Sequence, residues 1–502
     1  MRVGIDLGTT YSLVARVNHQ GVPVVFPDAT DASLFHTSSV VHVAGSYALV
    51  GQVVEDLLED APDLPVARRS KLLIGREETA LTDMEGRAWS PEAIGALVLR
   101  KLIQDVKAFE DEPIEGGVVT VPAQFDDAQR RGVREALAMA GLGGFELHDE
   151  PVAASMYYGA NLAKGEETLF VYDLGGGTFD ATVVQVSPDG VHVLATEGSN
   201  RVGGVHIDQR IVDQVAEAVR RRYGSDPLAD PHAALALRRF AEQVKLRMTQ
   251  RAGGPVQRSL LIGGRGVEFA LTRSQFEELA RPLIDETLAV SKRCLEGAGL
   301  TWPMVDRVLL VGGASLSPLA EAALARASGK PREQLVRRQP HQAVALGAAL
   351  LAGRSTREGL PSVEQRISSY ELGIRTRHRR TGQLGFETLI ARNAPLPAKA
   401  EKTLFTSRED QTRVVLEILQ RKGEDDEPRS LGVFAFGPID RPHKNHPIRV
   451  ELGYDVEGLV RVTAHDPESG KSFERVLSDK AMQVSARLAV QRDWIDGLPV
   501  NP

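Results

Sequence analysis

One short pattern occurs twice in this chain and limits its fold more than any other feature. Residues 168–184, TLFVYDLGGGTFDATVV, run from an apolar stretch through three glycines into a second apolar stretch. Leu169–Tyr172 and Ala181–Val184 are apolar and β-branched enough for sheet, which predicts a strand, a tight turn and a returning strand. The turn has no large side chain, so its backbone N–H groups can come close to an anion. Asp173 and Asp180 bracket it, and Thr178 adds a hydroxyl. That set suits a phosphate carrying a divalent metal ion. Residues 2–17, RVGIDLGTTYSLVARV, repeat the pattern around Gly8, Thr9 and Thr10, with Asp6 in the place of Asp173. Two copies point to duplicated lobes whose glycine turns face a shared cleft, suited to a nucleotide with two or three phosphates.

Bulk properties narrow the setting. A length of 502 residues allows two to four domains. A net charge of -7 argues against general nucleic-acid binding. The single cysteine, Cys294, excludes an internal disulfide and fits a reducing cytoplasm. No apolar run reaches the roughly 18 residues that span a bilayer, so no membrane association is expected. The first residues enter a strand at once, which predicts no signal peptide and a cytoplasmic protein.

Between and after the repeats the chemistry is less specific. Taken alone, Lys71 reads as a solvated lysine. Asp126 or Asp127 stands where a helix begins and is a candidate N-cap. Glu150, just before Pro151, is either a cap or a functional acid. Residues 206–300 read as largely helical, with Glu242 and Lys245 one turn apart as a surface i,i+3 pair. Residues 307–324 give a strand, Gly312-Gly313 and a helix start, another corner able to receive a polar ligand. Residues 353–367 are polar and irregular, which predicts a linker. From 368 to about 480 the pattern has period two, which predicts an antiparallel β domain of seven or eight strands. The basic run Arg375–Arg380 has no interleaved aromatics and reads as a solvated strand end.

The glycine hairpins and the third corner resemble the actin-like ATPase superfamily. GIDLGTTYS, VPAQFDDAQR, DEPVAA, YDLGGGTFD and VLLVGG more closely resemble the heat-shock seventy-kilodalton chaperone family. LGI at 372–374, LIARNAPLP, LFTSRED and LEILQ extend that likeness into the β domain. The resemblance implies an α/β two-lobed actin-like ATPase domain (1–355), a polar interdomain linker (356–367), a β-sandwich peptide-binding domain (368–480) and a short helical remnant with a tail (481–502). It implies ATP/ADP with Mg²⁺, and possible K⁺, between the lobes. Lys71, Glu150, Asp173 and Thr178 then match catalytic positions. Asp6, Asp173 and Asp180 match metal-holding positions. Gly8, Thr9, Thr10, Gly175, Gly176, Gly177, Glu242, Lys245, Thr249, Gly312, Gly313 and Leu316 match nucleotide-contacting positions. Ile374, Phe405, Val414 and Leu416 match an apolar peptide pocket, arched over by Arg377 and Arg408.

Several positions depart from the family pattern. Leu316 replaces an arginine that stacks on adenine, Val205-His206 an acidic pair, and His341-Gln342 another. The family's leucine-rich linker is Ser362–Ile367 here; burying Glu364 and Arg366 unpaired is costly, so the usual docking of this segment on the ATPase domain does not follow from the sequence. Glu146 replaces an arginine used for a J-domain partner, and the charge exchange at Glu146 and Arg366 reads as compensatory. The helical lid of the family is expected to be missing. These features predict a monomeric, ATP-dependent chaperone for extended polypeptides, with J-domain and nucleotide-exchange co-chaperones implied by the resemblance. The alternative is a nucleotide-binding switch or adaptor with a dedicated partner and little turnover; a third reading, an actin-like small-molecule kinase, has no need of the β domain.

Overall fold

Both glycine hairpins form where the sequence places them. Arg2–Asp6 pairs antiparallel with Tyr11–Val17, and Glu167–Leu174 with Phe179–Val186. In this computed structural model the description covers residues 1–501 except 160–164, 188–189, 250–253, 263–264, 355–361, 378–383, 424–425 and 475–478.

Each hairpin sits inside a sheet, and the two sheets have the same plan. The first orders its strands Glu146–Asp149, Gly116–Val121, Arg2–Asp6, Tyr11–Val17, Pro23–Val25, with Thr37–Ser38 pairing off the path. The second runs Leu335–Val336, Arg307–Val311, Glu167–Leu174, Phe179–Val186, Gly190–Ser199. In both, the hairpin's first strand pairs parallel with an incoming strand and antiparallel with its own partner. The repeat in sequence is therefore a repeat in topology, giving two lobes. Helices Glu150–Gly159 and Ala343–Gly353 pack against each other between the sheets, and the second is buried along its whole length. A Cβ at Gly347 would lie 1.7 Å from the Ala153 carbonyl oxygen, so this crossing admits only glycine there.

Two local expectations meet different outcomes. Asp126 caps the helix Asp127–Met139, and Gln129 completes a capping box. The stretch read as largely helical also holds a hairpin, Val256–Ile262 with Arg265–Leu271. Its apolar runs are too short for periodicity to separate helix from strand.

Among the described residues, eight strands of the β domain form two four-stranded sheets. One orders Leu384–Ile390, Glu371–Arg377, Val414–Arg421, Arg429–Phe436; the other Ala398–Phe405, Pro447–Tyr454, Val460–His465, Ser472–Glu474. Their inner faces share one core, in which Leu372, Ile418 and Phe434 meet Val450, Leu452 and Val462. This is a sandwich.

The docking that the polar linker's sequence leaves open is formed by its last residues. Ser362–Ile367 is a strand, parallel to Gly190–Ser199 and antiparallel to Pro395–Leu396. It extends the second lobe's sheet to the β domain; residues 356–361 of the expected linker lie outside the described residues. The docking uses backbone hydrogen bonds, which polar side chains do not prevent. Nor is Arg366 unpaired. Its guanidinium is buried with Nη2 at 3.3 Å from Asp149 Oδ1, and Nη1 donates to Leu147 O at 3.2 Å and Val456 O at 2.7 Å. Glu146 pairs with Arg2 at 3.0 Å, so the supposed compensation between Glu146 and Arg366 is not formed.

The β domain packs on the first lobe through polar contacts. The Asp127 carboxylate accepts from Val460 N at 2.7 Å, Arg131 donates to Val460 O at 2.6 Å, and Arg134 pairs with Glu457. Tyr370 Oη donates to Gln124 O at 2.6 Å. The C-terminal helix, Asp479–Asp496, is longer than the remnant expected and rests on the same lobe. Trp494 packs on the buried Trp89 with ring centroids 5.3 Å apart and planes tilted by 59°, and Asn501 makes two hydrogen bonds to the Val50 backbone.

Candidate functional site between the lobes

Four carboxylates and one lysine converge where the hairpins face each other. Asp6 ends the strand Arg2–Asp6, Asp173 and Asp180 flank the three-glycine turn, and Glu150 opens the helix Glu150–Gly159. Lys71 lies in a short 3₁₀ turn, Ser70–Leu73, after a left-handed Arg69 at φ 58. The lysine is not the solvated residue its local sequence suggests. It is 7% exposed, with Nζ 2.5 Å from Glu150 Oε1. Glu150 is thus a paired acid and not a solvent-facing cap.

The cluster's electrostatics are strained. Burial, and then Glu150, push the Asp6 carboxyl up to about 7 against the pull of Lys71. Asp180 is pushed up to about 8 by burial and by Glu150. Asp173 is raised well above the carboxylate range by burial, then by Glu150, Asp180 and Asp6. Burial by itself would lower the Lys71 ammonium, but Glu150 and Asp6 overcome it and raise its pKa. Asp180 Oδ1 is buried with no hydrogen-bond partner. Several buried carboxylates and one ammonium leave excess negative charge, and a cation held by oxygen ligands is its natural complement.

The glycine turns of the two lobes touch. A Cβ on Gly176 would lie 2.3 Å from Thr10 Oγ1, and one on Gly177 would lie 2.7 Å from Thr9 Cγ2 and 2.9 Å from Leu72 Cδ2. Gly175 N donates to Thr178 O at 3.0 Å, closing the second turn. At the first turn, Gly8 N donates to Ser12 Oγ at 3.1 Å, and Ser39 Oγ donates to Gly8 O at 2.9 Å. These glycines leave a cradle of bare backbone, the form an oligophosphate requires.

Beside the turns a cavity of about 110 Å³ is lined by Thr9, Thr10, Arg69, Glu242 and Lys245. Glu242 and Lys245 do not pair with each other, contrary to their spacing. Lys245 Nζ lies 2.6 Å from Asp208, and Glu242 accepts from Tyr11 Oη at 3.4 Å. Thr249 is farther down the helix, with its hydroxyl bonded at 2.5 Å to Leu246 O of its own helix. Gly312 adopts φ 78 beside Asp173, where a Cβ would sit 2.8 Å from Asp173 Oδ1. Gly313 and Leu316 span the next 3₁₀ turn, and Leu316 is partly exposed. Arg69 went unassigned in the sequence; its only signal there is the basic run ahead of Lys71.

In the β domain, Ile374, Val414 and Leu416 face the core, while Phe405 is 55% exposed and Arg408 is exposed. The apolar pocket residues are therefore split between interior and surface. The Arg377 side chain lies outside the described residues, as do positions 378–380 of the basic run.

Comparison with known proteins gives one consistent result. A family model described as Hsp70 protein matches residues 2–489. The chain is 33% identical over 491 residues to proteins named Chaperone protein DnaK from Thermotoga petrophila and Thermotoga maritima, covering 95% of this chain and 80% of each relative. The protein of the same name from Thermotoga neapolitana is 32% identical over the same span.

Proposed function

The chain belongs to the Hsp70 protein family, and on that premise we propose that the interlobe cluster is where it hydrolyses ATP. The protein is an ATP-dependent molecular chaperone and an ATPase. A switch without turnover is not favoured. Among the described residues no helix is long and apolar enough to cross a membrane.

The observation that carries the site assignment is the buried Lys71–Glu150 pair, set among Asp6, Asp173 and Asp180 beneath two glycine turns. Asp6, Asp173 and Asp180 would hold Mg²⁺, which supplies charge neutralisation for the phosphate oxygens. Lys71 stabilises charge on the transferred phosphoryl group, and backbone N–H groups of Thr9-Thr10 and Gly176–Thr178 orient it. Glu150, held by Lys71, positions the attacking water, with Asp173 as its neighbour. Glu242 and Lys245 face the nucleoside end of the cleft, and K⁺ is a further candidate for the remaining carboxylate charge. Extended polypeptide binds at the β domain, where Phe405 and Arg408 offer the exposed contacts, over a core that includes Ile374, Val414 and Leu416.

Single-turnover hydrolysis by the parent and by Lys71→Ala tests the assignment. A rate at least about 10²-fold lower in the variant is expected. Equal rates would remove Lys71 from the chemistry.

A further inference from the structure

We propose that the β domain carries a binding site for a divalent transition-metal ion of the zinc class, built from His443, His446 and Glu468. One atom from each side chain lies within 4.8 Å of the other two, at the end of the sandwich far along the chain from the acids of the cleft. His443 and His446 belong to the loop between Arg429–Phe436 and Pro447–Tyr454. Glu468 belongs to the turn between Val460–His465 and Ser472–Glu474.

Each imidazole already has its non-ligating nitrogen assigned. His446 Nε2 is 2.9 Å from Asp466 Oδ1, so that nitrogen carries the proton and Nδ1 keeps its lone pair. Asp466 is itself fixed by Glu468 N at 3.0 Å and Ser469 Oγ at 2.7 Å. His443 Nδ1 lies 3.0 Å from Lys444 O, a carbonyl that can only accept, which leaves Nε2 as the free nitrogen. Carboxylate or carbonyl partners on the far side of a ligating histidine are the usual support of a zinc site. Here both are in place.

The free nitrogens converge on one carboxylate. His443 Nε2 lies 3.1 and 3.0 Å from the two Glu468 oxygens, and His446 Nδ1 lies 3.5 Å from Glu468 Oε2. Ligand atoms on a tetrahedral zinc with bonds of about 2.0–2.1 Å sit roughly 3.3 Å apart, close to these separations. An ion pair between His443 and Glu468 would account for those two side chains alone. It leaves His446 Nδ1 unexplained, because that atom is buried without a hydrogen-bond partner in a residue only 1% exposed. A buried nitrogen lone pair with no donor is costly, and a metal ion satisfies it. Two imidazoles and one carboxylate select zinc-like ions over Mg²⁺ or Ca²⁺, which require more oxygen ligands, and they leave a fourth position for water.

The site would also stiffen a neighbouring segment. Thr406 N donates to His446 O at 3.1 Å, His446 N donates to Thr406 Oγ1 at 2.9 Å, and Lys444 N donates to Glu409 Oε2 at 3.2 Å. A bound ion therefore braces the loop that presents Arg408.

The test uses the full chain, stripped with chelator and titrated with Zn²⁺ against a chromophoric competitor in millimolar Mg²⁺. The comparison is His443→Ala/Glu468→Gln, which changes only partly exposed side chains and leaves buried His446 in place. The parent should bind one Zn²⁺ that the double variant binds at least about 100-fold more weakly, since loss of a supporting partner alone costs 10–100-fold. Zn²⁺ should raise the melting temperature of the parent and not that of the variant. Equal stoichiometry and affinity in both proteins, or no tight Zn²⁺ binding by the parent, would overturn the proposal.

Discussion

Replacing Asp149 with asparagine should loosen the β domain from the first lobe far more than removing either arginine that contacts it. The Asp149 carboxylate is buried between two guanidiniums, with Arg130 Nη2 at 2.8 Å and Arg366 Nη2 at 3.3 Å. Both arginines also reach β-domain backbone, Arg130 to Glu457 O at 3.2 Å and Arg366 to Val456 O at 2.7 Å. Asp149→Asn leaves two buried cations without a counter-charge, a loss of about 3–5 kcal/mol. At about 1.4 kcal/mol per factor of ten, amides of the docked loop Val456–Val460 should exchange roughly 10²- to several 10³-fold faster. Arg366→Leu should be milder. Burial lowers the pKa of this guanidinium, and its Nε and Nη2 have no well-formed hydrogen bond, so the charge it removes is an expensive one. Asp149 would keep Arg130, and the loss reduces to two carbonyl partners, about ten-fold in exchange.

The double variant decides the matter. With Asp149 gone, Arg366 keeps its two carbonyl partners but its uncompensated charge repels Arg130, and that cost outweighs them, so Asp149→Asn/Arg366→Leu should exchange more slowly than Asp149→Asn alone. Additive effects, or a cost for Arg366→Leu equal to that for Asp149→Asn, would refute the bracketed-carboxylate argument. The pH dependence has a definite sign. Burial would raise the Asp149 pKa, but Arg130 and Arg366 lower it below 3.8. An acid depressed in the folded state contributes stability above its unfolded pKa and loses it only as pH falls through the lower folded value. Protection of the loop should therefore not be lost through Asp149 between pH 7 and 4.5, as exchange corrected for intrinsic rates would show.

Other expectations concern the cleft and the C-terminal helix. Asp180→Asn should raise the melting temperature of the nucleotide-free protein by a few degrees, since it removes a buried acid whose Oδ1 has no hydrogen-bond partner, and should shrink the further rise given by Mg²⁺-ATP; calorimetry with and without nucleotide checks both. Gly177→Ala should weaken nucleotide binding at least about ten-fold, because the new methyl would fall 2.7 Å from Thr9 Cγ2 and force the two turns apart; fluorescent-nucleotide titration reads this, and unchanged affinity would contradict it. Trp494→Ala should release the C-terminal helix from Trp89 at a cost of about 2–3 kcal/mol, seen as faster exchange in the helix segment around Leu488–Ile495.

What could be read from the sequence, and what could not, divides along a physical line. The lobes were legible because a glycine turn between apolar strands has few alternative folds, and its repetition carried the duplication. The β domain was legible because side chains alternate with period two. Lys71 was not legible from its neighbours: its burial depends on Glu150, which lies 79 residues away in sequence and forms no local pattern with it. Glu242 and Lys245 misled for the same reason, since their true partners, Tyr11 and Asp208, come from other elements. Polarity at the linker misled differently. Leucines would dock by burying their side chains against the lobe. The strand Ser362–Ile367 attaches instead by its backbone, and Arg366 finds its counter-charge on Asp149, the residue that adjoins Glu150. Consecutive residues of one segment therefore face different tasks, Asp149 toward the docked linker and Glu150 toward Lys71. A shift of this segment by even part of a residue would disturb the docking pair and the cleft pair together. For that reason single-turnover hydrolysis by Arg366→Leu, whose substitution lies outside the cleft, should differ from the parent, whereas a variant of an exposed residue such as Lys399 should not.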